Sequence, residues 1–437
     1  MESVLTSPKS NFLFGHLLKM RKDPLNFYLD CARNYGEYVN LKFAYNSVVL
    51  LSNVEHVKFV LKNNELFKKP KSVVNQNKRL LGNGLIVNED ENWIKQRRFI
   101  QPVFKHDKIP YYADVMVNLT EEHIDNWKDN EIRNIVPDIM KLTLSIIGKT
   151  MFDCKVGDKA DLIGKSLEKV MDYFYKGIPT FIPTLKNHRY NKAISDLDAV
   201  IFEIIDYKRK TNNKSGEDLL SMLLNSHDDN NEMMTAEQVR DEIMTFLIVG
   251  HDSTAEIILW CIYLLSEYPI VEKKVYEEIE MVTKDGKFSF SDIPSLVYTN
   301  KVIKETLRLY PPAWVLSRVA MKDTKIGQYE VDEGTNILIS PWVLHRLESN
   351  FVDAETFNPD RWDNTKIDKM GAYLPFGLGP RQCIGQSFAM MELILVLVTI
   401  LKRFKLKRTE SSTLNPIPMM ALRVGDTLNV RVSSRSN

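Results

Sequence analysis

The chain of 437 residues is long enough to bury a sizeable core, and 44% of its residues are hydrophobic. Lysine and arginine total 58 against 57 aspartate and glutamate, so the net charge of +1 gives no electrostatic reason to expect a nucleic-acid partner. The four cysteines, Cys31, Cys154, Cys261 and Cys383, are widely separated and form no CxxC pair, which argues against a disulfide framework or a zinc site.

The sequence contains no run of the ~20 apolar residues that a membrane-spanning helix needs. A short apolar patch at residues 12–18 is broken by Gly15 and His16. We therefore expect a soluble, cytoplasmic protein without a membrane span, and we expect it to be a monomer.

The absence of a linker, low-complexity tract or repeat predicts a single domain over residues 1–437. Residues 37–60 combine β-branched runs with turn residues and predict a small β-rich region. Apolar residues recur at helical spacing from Ile109 to Lys210, and the body over residues 90–437 is predicted to be helical. The predicted fold class is therefore mainly α with small β-sheets.

The clearest predicted helix begins at Thr235, where the sequence TAEQ fits a capping box. In that motif the threonine hydroxyl caps the backbone N–H three residues on, and the Gln238 side chain reaches back. The helix can run to Tyr268, before Pro269, which makes it about 32 residues or ~48 Å long.

Polar residues interrupt the centre of this helix. The apolar run FLIV meets Gly250, His251, Asp252, Ser253 and Thr254 before apolar residues resume. A glycine inside a helix costs about 1 kcal/mol relative to alanine, and a buried carboxylate adds a desolvation cost. One interpretation is a kink whose hydroxyls bond back to carbonyls one turn earlier, and the other is a polar notch that faces a ligand.

The stretch FGLGPRQCIG, Phe376 to Gly385, surrounds one cysteine with glycines. Glycines permit close backbone approach, and an apolar helical segment follows, so the Cys383 thiol lies just before a helix N-terminus that favours the thiolate. No second cysteine or histidine is placed to share a metal, which suits a cofactor that supplies its other ligands itself, as haem does. The alternative is a buried structural cysteine.

Five motifs, in the same order along the chain, resemble those of the cytochrome P450 superfamily. FGLGPRQCIG matches the haem-binding signature FxxGxRxCxG, and Ala389 lies where that pattern often continues. The other motifs are WxxxR at Trp93 and Arg97, ExxR at Glu305 and Arg308, FNPDRW with Arg361, and VGHDST, which is similar to the oxygen-binding notch of the family's long I helix.

The resemblance implies a P450 fold in which the long central I helix lies over haem b, with the Cys383 thiolate as axial ligand. Glu305, Arg308 and Arg361 would form a buried structural cluster. The other residues that the resemblance assigns to the cofactor are Trp93, Arg97, Arg318, Phe376, Gly379, Arg381, Gly385 and Ala389, of which Trp93 and the three arginines match propionate-binding positions. His345 is a further candidate, with a plain structural histidine as the alternative.

The resemblance also implies an enzyme, a haem-thiolate monooxygenase that uses dioxygen and two externally supplied electrons to hydroxylate or oxidatively demethylate a small organic substrate. Asp252 and Ser253 would supply protons, Gly250 would leave space for oxygen, and Thr254 is a weaker substitute for the serine. The family usually has threonine where this chain has Ser253, whose side chain is less restricted in its χ1 rotamer.

The electrons are expected from a separate ferredoxin or flavodoxin and its reductase. A basic cluster follows the helix after the cysteine, and it is either a docking face for such an acidic partner or a solvated face. Its members are Lys402, Arg403, Lys405, Lys407 and Arg408.

The resemblance places variable pocket walls near Leu80–Asn88, Tyr173–Leu185 and Trp314–Leu316. The expected substrate is lipophilic, a fatty acid or terpenoid, and the alternative is a methoxylated molecule such as a methylated sugar. Two other classes are a haem-thiolate isomerase or peroxygenase, and a non-catalytic haem sensor in which a side chain such as His251 fills the sixth position.

Overall fold

The computed structural model describes residues 7–104, 109–153, 160–176, 184–211, 218–225, 233–283, 288–364, 367, 371–409 and 414–435. The described residues are mainly helical, in agreement with the predicted fold class. The α-helices are α1 (Leu17–Lys22), α2 (Pro24–Tyr35), α3 (Val54–Lys62), α4 (Lys71–Leu81), α5 (Asp90–Ile100), α6 (Ile109–Ile124), α7 (Val136–Phe152), α8 (Ala160–Lys176), α9 (Leu185–Thr211), α10 (Leu219–Asn225), α11 (Ala236–Glu267), α12 (Pro269–Val282), α13 (Val297–Leu309), α14 (Pro341–Leu344) and α15 (Gln386–Arg403).

The strands are short and form small sheets. They are β1 (Tyr38–Phe43), β2 (Asn46–Leu51), β3 (Phe67–Lys68), β4 (Ile132–Asn134), β5 (Leu316–Ala320), β6 (Thr324–Ile326), β7 (Tyr329–Val331), β8 (Asn336–Ile339), β9 (Phe404–Arg408), β10 (Ile417–Pro418), β11 (Leu422–Arg423) and β12 (Asn429–Ser434). The β-rich region predicted at residues 37–60 is confirmed for β1 and β2. Its last residues instead begin α3, because the Asn53 side chain accepts hydrogen bonds from the backbone N–H groups of Glu55 and His56 and caps a helix.

The chain divides into two compact units. The first unit comprises Met1–Val74 and Lys304–Cys383, and the second comprises Asn75–Ile303 and Ile384–Asn437. The expectation of one domain over residues 1–437 stays a prediction.

The first unit is built on a five-stranded sheet in the order β1-β2-β8-β5-β3. Strands β2 and β8 run parallel and the other neighbours are antiparallel. A hydrophobic core joins this sheet to α3, with Leu51, Val57, Phe67 and Ile339 among its buried members. The sheet thus holds α3 and β5 in place within the unit.

The second unit is built around α11, which packs against α7, α9 and α15. The predicted capping box is confirmed: the Gln238 backbone N–H donates to the Thr235 hydroxyl at 3.2 Å, and the Thr235 N–H donates to the Gln238 side-chain oxygen at 2.8 Å. The helix ends at Glu267, with Tyr268 as its C-cap, as the following proline predicts. Strands β4, β12 and β9 form a three-stranded sheet in the same unit.

Helix α11 is long and apolar enough to cross a membrane, as judged by length and composition alone. Its most apolar window has a mean hydropathy of 1.3, and 78% of that window is buried inside the protein. Burial of this kind is what the core helix of a soluble protein shows, so the helix is weak evidence for a membrane span.

Candidate functional site

The candidate site residues fall in both compact units. The first unit contains Arg318, His345, Phe376, Gly379, Arg381 and Cys383, and the second contains Trp93, Arg97, Gly250, Asp252, Ser253, Thr254, Gly385 and Ala389. Each unit is described below by itself.

In the first unit, the segment before the cysteine forms a closed loop. The Cys383 backbone N–H donates to the Phe376 carbonyl at 2.9 Å, and the Gln382 N–H donates to the Gly379 carbonyl at 3.0 Å. The Cys383 side chain forms no disulfide and its residue is exposed, whereas Cys31 and Cys261 are buried. Cys154 lies outside the described residues. The loop therefore presents Cys383, and not one of the other described cysteines, as the accessible thiol.

Gly379 has a packing reason to be glycine. Its φ is +76°, and a Cβ there would lie 2.3 Å from the Leu61 carbonyl oxygen of α3. Any side chain at this position would strain the backbone and collide with α3. The structure thus explains this glycine by close approach to a helix of the same unit, whereas the sequence pattern had related it to a cofactor.

The predicted cluster of Glu305, Arg308 and Arg361 is confirmed in the first unit. Arg308 donates from Nε and Nη2 to the two Glu305 oxygens, each at 2.9 Å, and Arg361 Nε donates to Glu305 Oε1 at 2.8 Å. The Trp362 indole N–H donates to Glu305 Oε2 at 3.0 Å. Glu305 and Arg308 are fully buried, so this is a compensated interior ion cluster and not a surface pair.

His345 is held by backbone groups at both ring nitrogens. Nδ1 lies 2.9 Å from the Arg308 carbonyl, and the Leu374 N–H donates to Nε2 at 2.8 Å. Burial lowers the pKa of His345 to about 3, so the ring is neutral with its proton on Nδ1. Because both ring nitrogens bond to backbone groups, the structure favours the structural histidine of the two alternatives, and the assignment of His345 to the cofactor stays a prediction.

The two arginines of the first unit that match propionate-binding positions lie on different elements. Arg318 is buried on β5 and donates from Nη1 to the Ser317 carbonyl at 2.8 Å. Arg381 ends the short 3₁₀ helix Gly379–Arg381, two residues before the cysteine. Their role at a cofactor stays a prediction.

In the second unit, one face of α11 is less buried than the rest. From Val239 to Ile262 every residue is buried except Phe246, Val249, Gly250 and Ser253. These positions are three, four and seven residues apart, so they share one side of the helix. The stripe includes two residues of the predicted notch, which favours the interpretation that the notch faces a ligand.

The hydroxyls of the notch bond back along the helix, as the kink interpretation predicts. Ser253 Oγ donates to the Val249 carbonyl at 2.7 Å, and Thr254 Oγ1 donates to the Gly250 carbonyl at 2.9 Å. The helix is nevertheless continuous here. A Cβ on Gly250 would lie 2.9 Å from Ile147 of α7, so the glycine also permits close helix packing. The segment therefore has features of both interpretations: its hydroxyls bond back along the helix, and one side of it is less buried than the rest.

Asp252 is buried and paired with an arginine that the sequence analysis missed. Arg423, on β11, donates from Nη2 to Asp252 Oδ1 at 2.6 Å. One turn further along α11, Glu256 is fully buried, and its Oε2 accepts a hydrogen bond from the Val424 N–H at 2.7 Å. The candidate acid is thus held in a charged cluster of the second unit.

Another buried carboxyl approaches the notch from α15. Glu392 is fully buried, and burial raises its pKa well above the ordinary value, an effect that the Thr254 hydroxyl opposes in part. The carboxyl is therefore protonated at neutral pH. The sequence signal for a buried carboxyl was the position of Glu392 inside the apolar run MMELILVLV.

The segment expected to form a pocket wall, Leu80–Asn88, is clamped onto α11. Arg240 Nη1 donates to the Leu80 carbonyl at 2.9 Å. The Asn83 N–H donates to Asp241 at 2.7 Å, and the Leu85 N–H donates to Glu242 at 3.1 Å. We call these three consecutive α11 residues, Arg240, Asp241 and Glu242, the clamp. Three ionisable residues in succession, directly before the apolar run of α11, were a signal that the sequence analysis did not use.

Replacing Glu242 by glutamine is expected to change the pH dependence of stability. Burial raises the pKa of Glu242 from 4.5 to about 8, so the folded protein keeps a proton that the unfolded chain releases. The resulting stabilisation is complete below the unfolded pKa of 4.5 and is lost as the pH rises through 8. The free energy of unfolding should therefore fall over this range by on the order of a few kcal/mol more in the wild type than in Glu242→Gln.

Denaturant titrations at several pH values measure this difference. The matched control is Glu237→Gln, because Glu237 is an exposed glutamate in the first turn of the same helix. That variant should not remove the fall. A wild-type and a Glu242→Gln curve that run parallel from acid to alkaline pH would contradict the prediction.

The remaining candidates of the second unit lie on α5 and at the start of α15. Trp93 is buried on α5, and the Arg97 guanidinium lies 5.5 Å from the centre of its ring. Gly385 is the N-cap of α15, and its carbonyl accepts a hydrogen bond from the Ala389 N–H at 2.8 Å. Their contact with a cofactor stays a prediction.

The basic cluster after α15 is partly neutralised. Arg403 donates to Asp125 at 2.6 Å, and Arg408 donates to Glu267 at 2.8 Å. On β9, Lys405 and Lys407 are exposed and alternate with buried residues. This arrangement favours a solvated face over a dedicated docking site.

Of the other expected pocket walls, only part can be described. Residues 177–183 of the segment Tyr173–Leu185 lie outside the described residues. The ring of Tyr173 stacks on that of Tyr190 with a centroid separation of 4.0 Å. In the first unit, the Trp314 carbonyl accepts a hydrogen bond from Ser340 Oγ at 2.8 Å, which fixes the start of the segment Trp314–Leu316.

These features fit a haem held by one thiolate. The first unit offers an exposed cysteine at the end of a closed loop. The second unit offers a half-buried helical stripe next to a buried acid. An accessible cysteine thiolate is the ligand by which the haem-thiolate class holds its iron.

Comparison with known proteins agrees with this class. The family model described as "Cytochrome P450" matches residues 5–427. The chain therefore belongs to the cytochrome P450 family. It is a haem-thiolate monooxygenase, an oxidoreductase with dioxygen as its co-substrate.

Three relatives from Streptomyces are similar over nearly their whole length. The chain is 34% identical to cyclooctat-9-en-7-ol 5-monooxygenase of Streptomyces melanosporofaciens, covering 95% of this chain and 94% of that protein. It is 31% identical to cyclooctatin synthase of the same organism, covering 94% and 92%. It is 27% identical to pentalenene oxygenase of Streptomyces avermitilis, covering 99% and 97%.

Proposed function

We propose that this protein hydroxylates a lipophilic terpenoid, with Cys383 as the haem ligand and the notch of α11 as the proton-delivery site. The observation that carries the proposal is the half-buried stripe of α11, on which Ser253 lies beside the buried, arginine-paired Asp252. When bound, haem supplies the redox chemistry by which dioxygen is activated.

The side chains of the notch differ in what they can do with a proton. Asp252 is the group that can carry one, since a carboxyl near the reacting centre acts as a general acid. Ser253 has one O–H, which donates to the Val249 carbonyl, so its oxygen remains free to accept a hydrogen bond. Rotation about χ1 turns the same O–H towards the exposed side of the helix. Ser253 can therefore receive a proton on one side and present one on the other.

Replacing Ser253 by alanine is expected to divert electrons from product to peroxide while haem binding is retained. The variant removes the hydroxyl without altering the buried residues beside it. Product and hydrogen peroxide formed per NAD(P)H consumed measure the effect, and we expect product per electron to fall by about 10-fold or more, within the range known for a positioned proton-transfer group.

The matched variant Ser253→Thr keeps the hydroxyl and restricts its rotamer. It should couple electrons to product at least as well as the wild type. Unchanged product per electron in Ser253→Ala would refute the proposed role of the hydroxyl.

The substrate proposal rests on the relatives and on chemistry. Two of the relatives are named for the oxidation of cyclooctat-9-en-7-ol and pentalenene, which are carbocyclic molecules with little polarity. The described parts of the expected pocket walls contain aromatic and aliphatic residues such as Leu85, Val87 and Trp314. No contact of the described residues specifically favours a methylated sugar, a fatty acid, or the isomerase, peroxygenase and sensor classes.

Titration of the purified ferric protein with terpenoids, fatty acids, aromatics and methoxylated sugars tests the substrate class. A substrate that displaces the water on the iron shifts the Soret band from the low-spin to the high-spin position. We expect this shift with cyclic terpenoids. A shift with methoxylated sugars alone would overturn the terpenoid proposal.

The proposal includes a separate redox partner of the ferredoxin or flavodoxin type, a cytoplasmic location and a monomeric state. Members of the family act on small molecules and receive their electrons from a redox protein or domain. Because the arginines of the basic cluster are paired with acids, the docking face is not assigned to that cluster.

A further inference from the structure

Two carboxyl groups share one guanidinium beneath the notch. Arg423 Nη2 donates to Asp252 Oδ1 at 2.6 Å, and Arg423 Nε lies 3.7 Å from Glu256 Oε1. Asp252 and Glu256 are four residues apart on α11 and therefore lie on the same side of the helix. Both carboxylates are almost completely buried, with side-chain exposures of 5% and 0%. We call these three residues the acid cluster.

One of the two carboxyl groups in the acid cluster holds a proton. Burial raises the pKa of Glu256 well above its ordinary value, the neighbouring Asp252 raises it further, and Arg423 opposes both. Asp426, the other acid near the cluster, also raises the pKa of Glu256. His251 adds no charge, because burial lowers its pKa. Glu256 is therefore the carboxyl of the pair that holds the proton, and Asp252 is the one that pairs with Arg423.

The geometry of the acid cluster permits a proton to move between Glu256 and Asp252. Glu256 Oε1 and Arg423 Nε are both buried and have no hydrogen-bond partner among the described residues, although they lie 3.7 Å from each other. The other Glu256 oxygen is fixed by the Val424 N–H. A small movement of the guanidinium would bring Nε into hydrogen-bond distance of Oε1. Arg423 can therefore be compensated by either carboxylate.

We propose that Glu256 is the internal proton donor to Asp252, and that Arg423 transfers its ion pair from one carboxylate to the other when the proton moves. This inference deepens the proposed function, on which it rests. In the step, the O–H bond of Glu256 breaks and an O–H bond on Asp252 forms. The charge of the cluster stays the same throughout, so no additional reactant is needed.

The energetic argument concerns the arginine. Leaving a buried charge without its partner is strongly unfavourable, so a lone Asp252 paired with Arg423 would resist protonation. With Glu256 beside it, the charge lost on Asp252 reappears within reach of the same guanidinium. Asp252 can thus become an acid without leaving Arg423 uncompensated.

Infrared spectroscopy of the resting ferric holoprotein tests the exchange without turnover. A protonated carboxyl gives a C=O stretching band that is distinct from carboxylate bands and shifts in D₂O. The difference spectrum between wild type and Glu256→Gln should isolate the band of Glu256 from those of Glu242 and Glu392. Glutamine keeps the carbonyl that accepts from the Val424 N–H, so the fold is preserved.

The decisive variant is Asp252→Asn, which removes the competing carboxylate. Glu256 should then ionise and pair with Arg423, and its protonated band should disappear at neutral pH. In a Glu256→Gln background, the same substitution should leave the protonated-carboxyl band unchanged. A protonated Glu256 band of full intensity in Asp252→Asn would overturn the proposal.

A second variant covers the case in which Asp252→Asn does not fold. Arg423→Gln removes the shared cation, so Glu256 should stay protonated to higher pH, and its protonated-carboxyl band at alkaline pH should be stronger than in the wild type. A titration of the Glu256 band that is the same in Arg423→Gln and wild type would equally overturn the proposal.

Turnover measurements separate this inference from the proposed function. Glu256→Gln is expected to lower product per electron and to alter its pH profile, whereas Ser253→Ala tests the hydroxyl alone. If the infrared response is found while Ser253→Ala remains fully coupled, the proton exchange stands and the proposed role of Ser253 fails. If Ser253→Ala lowers product per electron while the Glu256 band is the same in Asp252→Asn and wild type, the proton exchange is refuted and the proposed function stands.

Discussion

Replacing Cys383 by alanine is expected to lower monooxygenase turnover by at least ~10³-fold, which corresponds to about 4 kcal/mol of activation barrier. The physical reason is that the thiolate donates electron density which no other described side chain of the loop can supply. Product formed per haem measures the activity, and the carbon monoxide difference spectrum of the reduced protein reports on the ligand.

A second cysteine of the first unit provides the control. Cys31 is buried, and burial raises its pKa to about 12, so it remains a thiol at neutral pH and cannot serve as a ligand. Cys31→Ala should keep the thiolate signature. If Cys383→Ala kept that signature as well, the ligand assignment would be wrong.

Replacing Glu305 by alanine is expected to destabilise the protein by ~3–5 kcal/mol, because two buried guanidinium groups would lose their counter-charge. Arg308 is bonded to both Glu305 oxygens, and Arg361 to one of them. Arg308 also donates to the carbonyls of His345 and Ala354, at 2.7 and 2.6 Å, so the loss extends to the backbone around it. Denaturant unfolding of the holoprotein measures the change.

The matched control is another pair at the same spacing in the same unit. Lys58 donates to Glu55 at 2.8 Å, three residues away, but the Glu55 side chain is 76% exposed. Glu55→Ala should leave the free energy of unfolding nearly unchanged, since solvent screens the pair. Equal losses in the free energy of unfolding for Glu305→Ala and Glu55→Ala would contradict the prediction, because burial would then not determine the contribution of the ion pair. A smaller but still clear loss is expected for Glu305→Gln, which keeps the hydrogen bonds in part.

Features that depend on neighbouring residues could be predicted from the sequence. The capping box at Thr235, the end of α11 before Pro269 and the back-bonding of Ser253 and Thr254 are all confirmed. Each depends on residues within one or two turns of helix. The cluster around Glu305 was also predicted, but only because its motifs resemble those of a known family.

Features that depend on distant residues could not be predicted. Asp252 and Arg423 are 171 positions apart, and Asn83 and Asp241 are 158 apart. Nothing in the local pattern of a strand as short as β11 indicates which buried acid its arginine meets. His345 shows the same limit, because whether its nitrogens meet a cofactor or the backbone depends on where residues 308 and 374 lie.

The clamp restricts which substitutions the predicted pocket wall Leu80–Asn88 can accept. A Cβ on Gly82 would lie 2.0 Å from Asp241, and one on Gly84 would lie 2.2 Å from Thr245, so neither glycine can acquire a side chain while the segment stays on α11. The backbone of this segment is therefore held in one position against α11. New specificities would then have to arise at other positions of the segment, such as Ile86, which is 39% exposed. Directed-evolution libraries aimed at this segment should leave its glycines and the clamp unchanged.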